Sequence, residues 1–594
     1  MIRTWATVAA ALLAAGCATA PPGTSGVPAA QQPEAASELQ AKPGWFARKF
    51  AVAAANPLAA DAGSRILKAG GSAVDAAIAV QMVLALVEPQ SSGIGGGAFL
   101  LHHDGHTVEA FDGRETAPAA ADEQLFIDAE GKPLSFDDAV VGGRAVGVPG
   151  VVRMLEMAHR QHGRLPWARL FEPAIELADQ GFRISPRLHA LLQGDPHLKR
   201  DRAARAYFHQ WHGSPRAVGT TLRNPQLAAV LRRIAAEGAK ALHEGEIARA
   251  IVAKVREHPA NPGRMTLADL AGYQPKKRPP ICHDYRARGR DYRVCGFPPP
   301  GSGAIAVGQI LGILDAVRAQ ALPLEDGLPG ADWLHLYLEA SRLAFADRAQ
   351  YVADPDFVAP PGGRWESLLD PQYLRQRAQL IGKSSMKVAK PGTPGGVPTG
   401  FSPSAPQPEY GTSHISIVDA HGNALAMTTT VEAQFGSRQM VHGFLLNNQL
   451  TDFSFTPADA AGRPVANRVQ PGKRPRSSMA PTLVFDKASG ELVLSGGSPG
   501  GALIIHYTAK ALYGILEWGL DAQRATALPN FGSLNGPSLL EERRFSRSTV
   551  DALRARGAEV REQPMTSGLH VIQKTSDGYF GGADPRREGV VMGD

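Results

Sequence analysis

Gly411-Thr412-Ser413-His414-Ile415-Ser416-Ile417-Val418 is the stretch on which the fold turns. Upstream, Pro391-Gly392-Thr393-Pro394-Gly395-Gly396 runs on to Ser402-Pro403-Ser404-Ala405-Pro406-Gln407-Pro408. That segment has too little apolar content to bury and too many prolines for regular structure, so a mobile linker is expected. Downstream, the turn-like Asp419-Ala420-His421-Gly422-Asn423 leads into Ala424-Leu425-Ala426-Met427-Thr428-Thr429-Thr430-Val431, which is rich in β-branched residues as a strand should be. Thr412 therefore stands where linker enters a sheet.

A threonine hydroxyl is a weak nucleophile at its free pKa and needs a neighbouring base, or its own α-amine once that amine is a chain terminus. An α-amine titrates at roughly 7.7–8.0, suited to proton transfer near neutrality. Thr412 gains that amine only if the 411–412 bond is cut. Attack of its own Oγ on the Gly411 carbonyl would give an ester, whose hydrolysis frees the amine, and glycine on the leaving side tolerates the strained backbone this requires. The plain alternative is a linker followed by an ordinary edge strand.

Motifs elsewhere decide between them. Asn56-Pro57-Leu58-Ala59, Ala62-Gly63 and Leu67-Lys68-Ala69-Gly70-Gly71-Ser72-Ala73-Val74-Asp75-Ala76-Ala77 precede a glycine-rich run, Val87-Glu88-Pro89-Gln90-Ser91-Ser92-Gly93-Ile94-Gly95-Gly96-Gly97-Ala98-Phe99. Later come Leu336-Tyr337-Leu338-Glu339-Ala340, Leu343-Ala344-Phe345-Ala346-Asp347-Arg348, Leu446-Asn447-Asn448-Gln449, Lys473-Arg474-Pro475-Arg476-Ser477-Ser478-Met479 and Gly497-Ser498-Pro499-Gly500-Gly501. From about Ala51 to the C-terminus, this order of motifs resembles the γ-glutamyltransferase family of N-terminal nucleophile hydrolases.

Composition agrees with an enzyme of that kind. With 594 residues, 44% apolar and 20% charged, the chain can bury a large core and is not a disordered protein. The net charge is +6, but the basic residues are scattered, the densest runs being Lys199-Arg200-Asp201-Arg202 and Lys276-Lys277-Arg278. No aromatic-interleaved stripe accompanies them, so they read as solvated surface rather than a nucleic-acid site. The 18 histidines are dispersed and no zinc-like Cys/His spacing occurs. Neither metal nor cofactor is expected.

The N-terminus reads as a targeting segment: Arg3, the apolar Ala6–Ala15, then Leu13-Ala14-Ala15-Gly16-Cys17, similar to a lipobox. A signal peptide over 1–17 and a flexible tether over 18–43 are expected. The protein would then be exported to the periplasm, anchored by lipid at Cys17 or, since Ala14 departs from the preferred leucine, secreted without an anchor. Cys282 and Cys295 remain in the mature chain, flanking a turn around Gly289. Two strands joined there would bring them within disulfide reach, and two separately buried thiols are the alternative.

Periodicity predicts helices over Ala73–Val87, Pro149–His159, Leu170–Gln180, Leu227–Glu237 and Trp333–Arg348, and strands over His414–Val418, Ala424–Val431, Gly443–Asn447 and Leu492–Ser495. These alternating blocks suggest a layered α/β protein. The resemblance implies more: a four-layer αββα sandwich built jointly by a large subunit, 44–411, and a small catalytic subunit, 412–594, after self-cleavage.

It also implies a site. Thr412 is the nucleophile, and Thr430 is expected to hydrogen-bond its hydroxyl. Gly500 and Gly501 match the oxyanion hole, where two backbone donors stabilise developing charge without a side chain intervening. Arg114 matches the arginine that grips the donor's carboxylate, which a planar guanidinium can do bidentately. Ser477 and Ser478 match the hydroxyls assisting it. Glu432, Gln449 and Asp452 fall on acceptor positions for the α-ammonium. Many members carry asparagine where this chain has Glu432, and Thr451 replaces an acid often found beside Asp452.

The implied activity is acyl transfer: Thr412 takes the γ-glutamyl group of glutathione or a related amide and passes it to water, an amino acid or a dipeptide. A glutaryl acylase is the nearest rival, but a glutaryl group lacks the α-amine and would leave Glu432 and Asp452 facing no cation. A relative that processes poly-γ-glutamate and a non-catalytic surface lipoprotein on the same scaffold are further alternatives. The loop from Phe455 to Arg476 contains no tyrosine. Relatives that cover the pocket do so with one, so a more open site is expected.

Overall fold

Strand Gly411–Val418 is paired along both edges, to Ala424–Glu432 on one side and Ala51–Ala54 on the other. In the computed structural model, which describes residues 39–594, these three strands form the middle of a seven-stranded antiparallel sheet. Its order is Val590–Gly593, Ala51–Ala54, Gly411–Val418, Ala424–Glu432, Gly97–His103, Val108–Asp112, Lys276–Arg278. Strands from before and after residue 412 therefore interleave, and neither half owns the sheet. The expected signal peptide, Cys17 and most of the tether lie outside the described residues. Among the described residues no helix is long and apolar enough to cross a membrane.

Period-two alternation gives each strand of this sheet two apolar faces. Val52, Ala54, Ile415, Ile417, Leu425 and Met427 face helices Pro57–Lys68 and Ala73–Val87. Ala51, Ala53, Val418, Ala424 and Ala426 face a second seven-stranded antiparallel sheet through Leu483, Phe485 and Ile572. Small residues on that inner face leave room for the larger side chains opposite. The second sheet is covered in turn by Gly303–Ala316 and Ile504–Leu516, with Ala331–Tyr351 packed on the former. The layers are helix, sheet, sheet, helix, as the resemblance implies.

Helix Ala73–Val87 has the expected bounds, because Ser72 and Asp75 close a capping box at its start and every residue in it is buried. Pro149–His159 begins and ends later, as Val151–His162. Leu170–Gln180 is not one helix: Pro173 sits in the first turn of Glu172–Gln180, and the residues before it form a separate tighter turn. Leu227–Glu237 and Trp333–Arg348 extend to Pro225–Glu237, capped by Asn224, and Ala331–Tyr351. The expected strand Gly443–Asn447 shrinks to Phe444–Leu445, because the Asn447 backbone N–H turns from the hairpin to the Gly95 carbonyl, while its side-chain amide bonds the Gly95 and Gly147 carbonyls.

Two further expectations are resolved. Cys282 and Cys295 face each other across the hairpin Ile281–Ala287/Arg290–Gly296 and are disulfide-bonded. The segment 391–408 does not run free: polar hooks hold it where apolar burial does not. The Gly392 amide bonds Asp347, Ser402 bonds the Arg463 and Pro464 carbonyls, and Ser404 is held by Ala349 and Arg476.

Candidate active site

Register between Gly411–Val418 and Ala424–Glu432 slips between Gly411 and Ser413, so Thr412 occupies a β-bulge. A bulge turns the backbone out of the ladder and re-aims the side chain. The Gly411 carbonyl accepts the Thr430 hydroxyl at 2.6 Å, and the Thr430 oxygen accepts the Glu432 backbone N–H at 2.7 Å, which fixes the direction of the hydroxyl proton. The expected bond from Thr430 to the Thr412 hydroxyl is thus replaced by one to the carbonyl Thr412 would attack. In the continuous chain that carbonyl is the acceptor within reach.

Gly500 and Gly501 have φ of +133° and +57°, and Gly501 opens the helical turn that continues as Ile504–Leu516. The first N–H groups of a helix lack partners within it, and its dipole favours negative charge there. A Cβ on Gly501 would lie 1.9 Å from the Glu409 carbonyl oxygen, and one on Gly500 would lie 2.5 Å from the Tyr507 ring. No side chain fits at either position, and in the uncut chain Glu409 and Tyr410 lie directly against Gly501.

Arg114, Glu432, Gln449, Asp452, Ser477, Ser478 and Gly501 line one cavity with Thr412 and Thr430; Gly500 adjoins it. About 20 Å³ of it is open, room for roughly one water, because Glu409 and Tyr410 also line it. Among the described residues, none of the loop after Phe455 and before Arg476 lines it. Phe455 instead stacks on Phe126, with ring centroids 4.3 Å apart, in a small core of its own.

On one side of the cavity are the acceptors. Asp452 Oδ2 takes Arg114 Nη2 at 2.5 Å and Gln449 Nε2 at 2.7 Å, while Asp452 Oδ1, Gln449 Oε1 and Glu432 Oε1 are buried without partners. Burial raises the Asp452 carboxyl to about 6 against the pull of Arg114. Glu432 is pushed well above the usual carboxylate range by burial and then by Asp452, although the Asn448 amide bonds its Oε2. Thr451 Oγ1 stands 3.4 Å from Glu432 Oε2 while its hydroxyl donates to the Asn448 carbonyl at 2.8 Å, so the residue that replaces the acid brings no repelling charge.

On the other side are the donors. Arg114 is fully buried, held by the Pro475 and Arg476 carbonyls and by Asp452, and its Nη1 has no partner. Ser478 Oγ accepts Arg348 Nη2 at 2.5 Å, and Ser477 Oγ accepts the Met479 N–H at 3.2 Å. The same Arg348 nitrogen holds Glu409 at 2.7 Å. Burial alone would raise the Glu409 carboxyl, but Arg348, Ser478 and Arg476 outweigh it and hold it below the usual range.

The ten residues singled out from the sequence thus converge, and the structure adds Arg348, Glu409 and Asn448. Arg348 stands within a quoted motif and Asn448 beside Gln449, but nothing in their spacing separates them from helix and loop polarity. Glu409 carries no local signal at all. Together the groups form a pocket with cationic and hydroxyl donors on one wall, carboxyl and amide acceptors on the other, and the Thr412 hydroxyl at a bulged peptide between them.

Comparison with known proteins agrees. The family model described as Gamma-glutamyltranspeptidase matches residues 59–594. The chain is 36% identical over 560 residues to the glutathione hydrolase proenzyme of Bacillus subtilis strain 168, covering 91% of each. It is 35% identical over 592 residues to that of Escherichia coli K12, covering 97% of this chain and 96% of the relative. Among solved structures, cephalosporin acylase from Bacillus halodurans superposes with a TM-score of 0.79 at 26% identity, over 96% of this chain and 99% of that one. The chain belongs to the gamma-glutamyltranspeptidase family.

Proposed function

We propose that the protein is a proenzyme that cuts itself between Gly411 and Thr412 and then hydrolyses or transfers γ-glutamyl groups from glutathione and related amides. The observation that carries this reading is the hydrogen bond from Thr430 to the Gly411 carbonyl, at the bulge where Thr412 begins the strand. Thr412 Oγ adds to that carbonyl, and Thr430 supports the oxygen as it becomes negative. Collapse breaks the C–N bond and leaves Gly411 esterified to Thr412 Oγ. Water then releases Gly411 as a carboxylate and Thr412 with a free amine.

With the amine as base, Thr412 attacks the γ-carbonyl of the donor and the backbone amides of Gly500 and Gly501 face the oxyanion. Arg114, Ser477 and Ser478 take the donor's carboxylate, and Glu432, Gln449 and Asp452 its ammonium. Loss of the amine leaves a γ-glutamyl ester for water or an acceptor amine. The test is a denaturing gel of purified protein, N-terminal sequencing of its smaller fragment, and release from γ-glutamyl-p-nitroanilide beside glutaryl-p-nitroanilide. A second fragment beginning at Thr412 and a preference for the γ-glutamyl compound are expected; an uncut, active chain overturns the reading.

The likeness to a cephalosporin acylase makes a glutaryl acylase the second reading. Against it stand the unpartnered Glu432 Oε1 and Asp452 Oδ1, which a donor without an ammonium would leave desolvated. The N-terminal pattern ending at Cys17 supports export to the periplasm with a lipid anchor, which labelling with a radioactive fatty acid would test.

A further inference from the structure

One cluster of chemically capable side chains lies away from the acyl pocket. His102 and Glu109 are direct cross-strand partners on Gly97–His103 and Val108–Asp112, and His162 is the last residue of helix Val151–His162. One ligand-capable atom from each lies within 4.8 Å of the other two. We propose that His102, Glu109 and His162 form a three-ligand site for a borderline divalent transition-metal ion of the zinc type, its remaining position open to solvent.

The ligand set is that of imidazole-and-carboxylate zinc sites, where the metal stands about 2.0–2.2 Å from each donor and the donors about 3.4 Å from one another. His162 Nε2 and Glu109 Oε2 are already 2.5 Å apart, and the His102 and His162 rings are centred 4.1 Å apart. Bonding geometry requires the three donors, now within 4.8 Å of one another, to settle at about 3.4 Å.

His102 supplies the independent observation. It is 1% exposed, and neither of its ring nitrogens has a hydrogen-bond partner. A buried, unsatisfied imidazole costs free energy that a ligand would recover.

Access and field favour an ion there. Glu109 and His162 keep 19% and 17% of their side chains exposed, which gives an entry path. The partial negative charge at a helix C-terminus favours a cation beside His162. One competitor is present: Lys277 pairs with Glu109 Oε1. Its side chain is 41% exposed, donates also to Gln161 Oε1 at 2.9 Å and lies over the Phe111 ring, so a metal would have to displace it from Glu109.

The site would act as a clamp, not as catalytic machinery. His102 lies five residues along its strand from Gly97, the partner of Thr430, or roughly 17 Å at about 3.4 Å per residue. Helix Val151–His162 is tied at its start to the glycine-rich loop by bonds from the Gly150 and Val151 amides to the Gly96 carbonyl. A metal on His162 would fix its other end to the same strand pair.

The experiment uses tag-free full-length protein stripped with a chelator and titrated with Zn²⁺ calorimetrically. One ion per chain is expected, with a rise in melting temperature. Glu109→Gln, at a half-buried position that leaves the core intact, should weaken binding at least ~100-fold, since even partners behind a ligand are worth 10- to 100-fold. His102→Gln should do the same, while γ-glutamyl release is unchanged in both. Equal zinc affinity and stoichiometry in wild type and Glu109→Gln, or an anomalous zinc peak away from these three residues, would overturn the proposal and leave a bridging water as the partner of His102.

Discussion

Two glutamates share the acyl cavity, and their surroundings push them in opposite directions. Glu409, in the segment before the scissile bond, is drawn down by Arg348, Ser478 and Arg476 and stands as a paired anion. Glu432, at the end of the second hairpin strand with φ of +78°, is pushed up by burial and by Asp452 and has no cation within bonding distance. The uncut chain thus shows what each wall prefers. One already holds a carboxylate; on the other, burial and Asp452 oppose a negative charge that no paired cation balances. An α-amino acid brings both charges at once, and departure of Glu409 after cleavage would make room for its carboxylate.

The harshest way to break this comparison is to keep Glu409 in place permanently. Thr412→Ala should remain a single chain and lose γ-glutamyl release by ~10⁴-fold or more, as removal of a nucleophile does; a gel and a chromogenic assay check both. Should Thr412→Ala mature normally, the bulge would not be the cleavage site. Next in size is Thr430→Val, which keeps the shape and deletes the donor to the Gly411 carbonyl. Self-cleavage should slow by about 10²–10³-fold, the usual cost of one donor to a developing oxyanion, and Thr430→Ser should restore most of it. Pulse-labelled maturation supplies the rates.

Glu432→Gln sharpens the other half. If the raised carboxyl releases its proton to water when the donor's ammonium binds beside it, the variant loses a charge-assisted bond worth about 1.5–3 kcal/mol. That is roughly 10- to 150-fold in kcat/KM for γ-glutamyl-p-nitroanilide, expressed mainly in KM. Turnover of the glutaryl compound, which brings no ammonium, should change little. Equal losses on both compounds would mean that Glu432 shapes the pocket rather than reading the amine.

Much of this is legible in the sequence alone, for physical reasons that can be named. Ser72, Asp75 and an apolar run fix a helix locally, and β-branched runs around a turn fix the hairpin carrying Thr412. The family motifs located Arg114, Glu432, Gln449, Asp452, Ser477 and Ser478, which meet only because loops from distant parts of the chain converge. What stayed hidden depends on convergence without a motif: Arg348 reaches Glu409 across 61 residues. His102, Glu109 and His162 meet across a strand pair and a helix end, so a search for ligand spacing along the chain passes over them. The segment 391–408 was misread because proline content measures the lack of a core and not the polar hooks at Gly392, Ser402 and Ser404.

The smallest effect tests the sign of the difference itself. In the Thr412→Ala background the segment stays in place, and the two glutamates should shape stability against pH oppositely. Glu409, lowered from 4.5, stabilises the fold at pH values above the unfolded-state pKa, and that contribution disappears as pH falls through its folded value. Glu432, raised from 4.5, binds its proton more tightly when folded; its contribution is complete at pH values below the unfolded-state pKa and is lost as pH rises through the folded value. Glu409→Gln should therefore lower the melting temperature near neutrality by removing a paired charge, while Glu432→Gln should hold or raise it by removing a carboxyl that resists ionisation. Each change should amount to about 1–3 kcal/mol, read by calorimetry at about pH 5 and about pH 8. Shifts of the same sign for the two variants would mean that the walls of the cavity do not differ in polarity as their partners indicate.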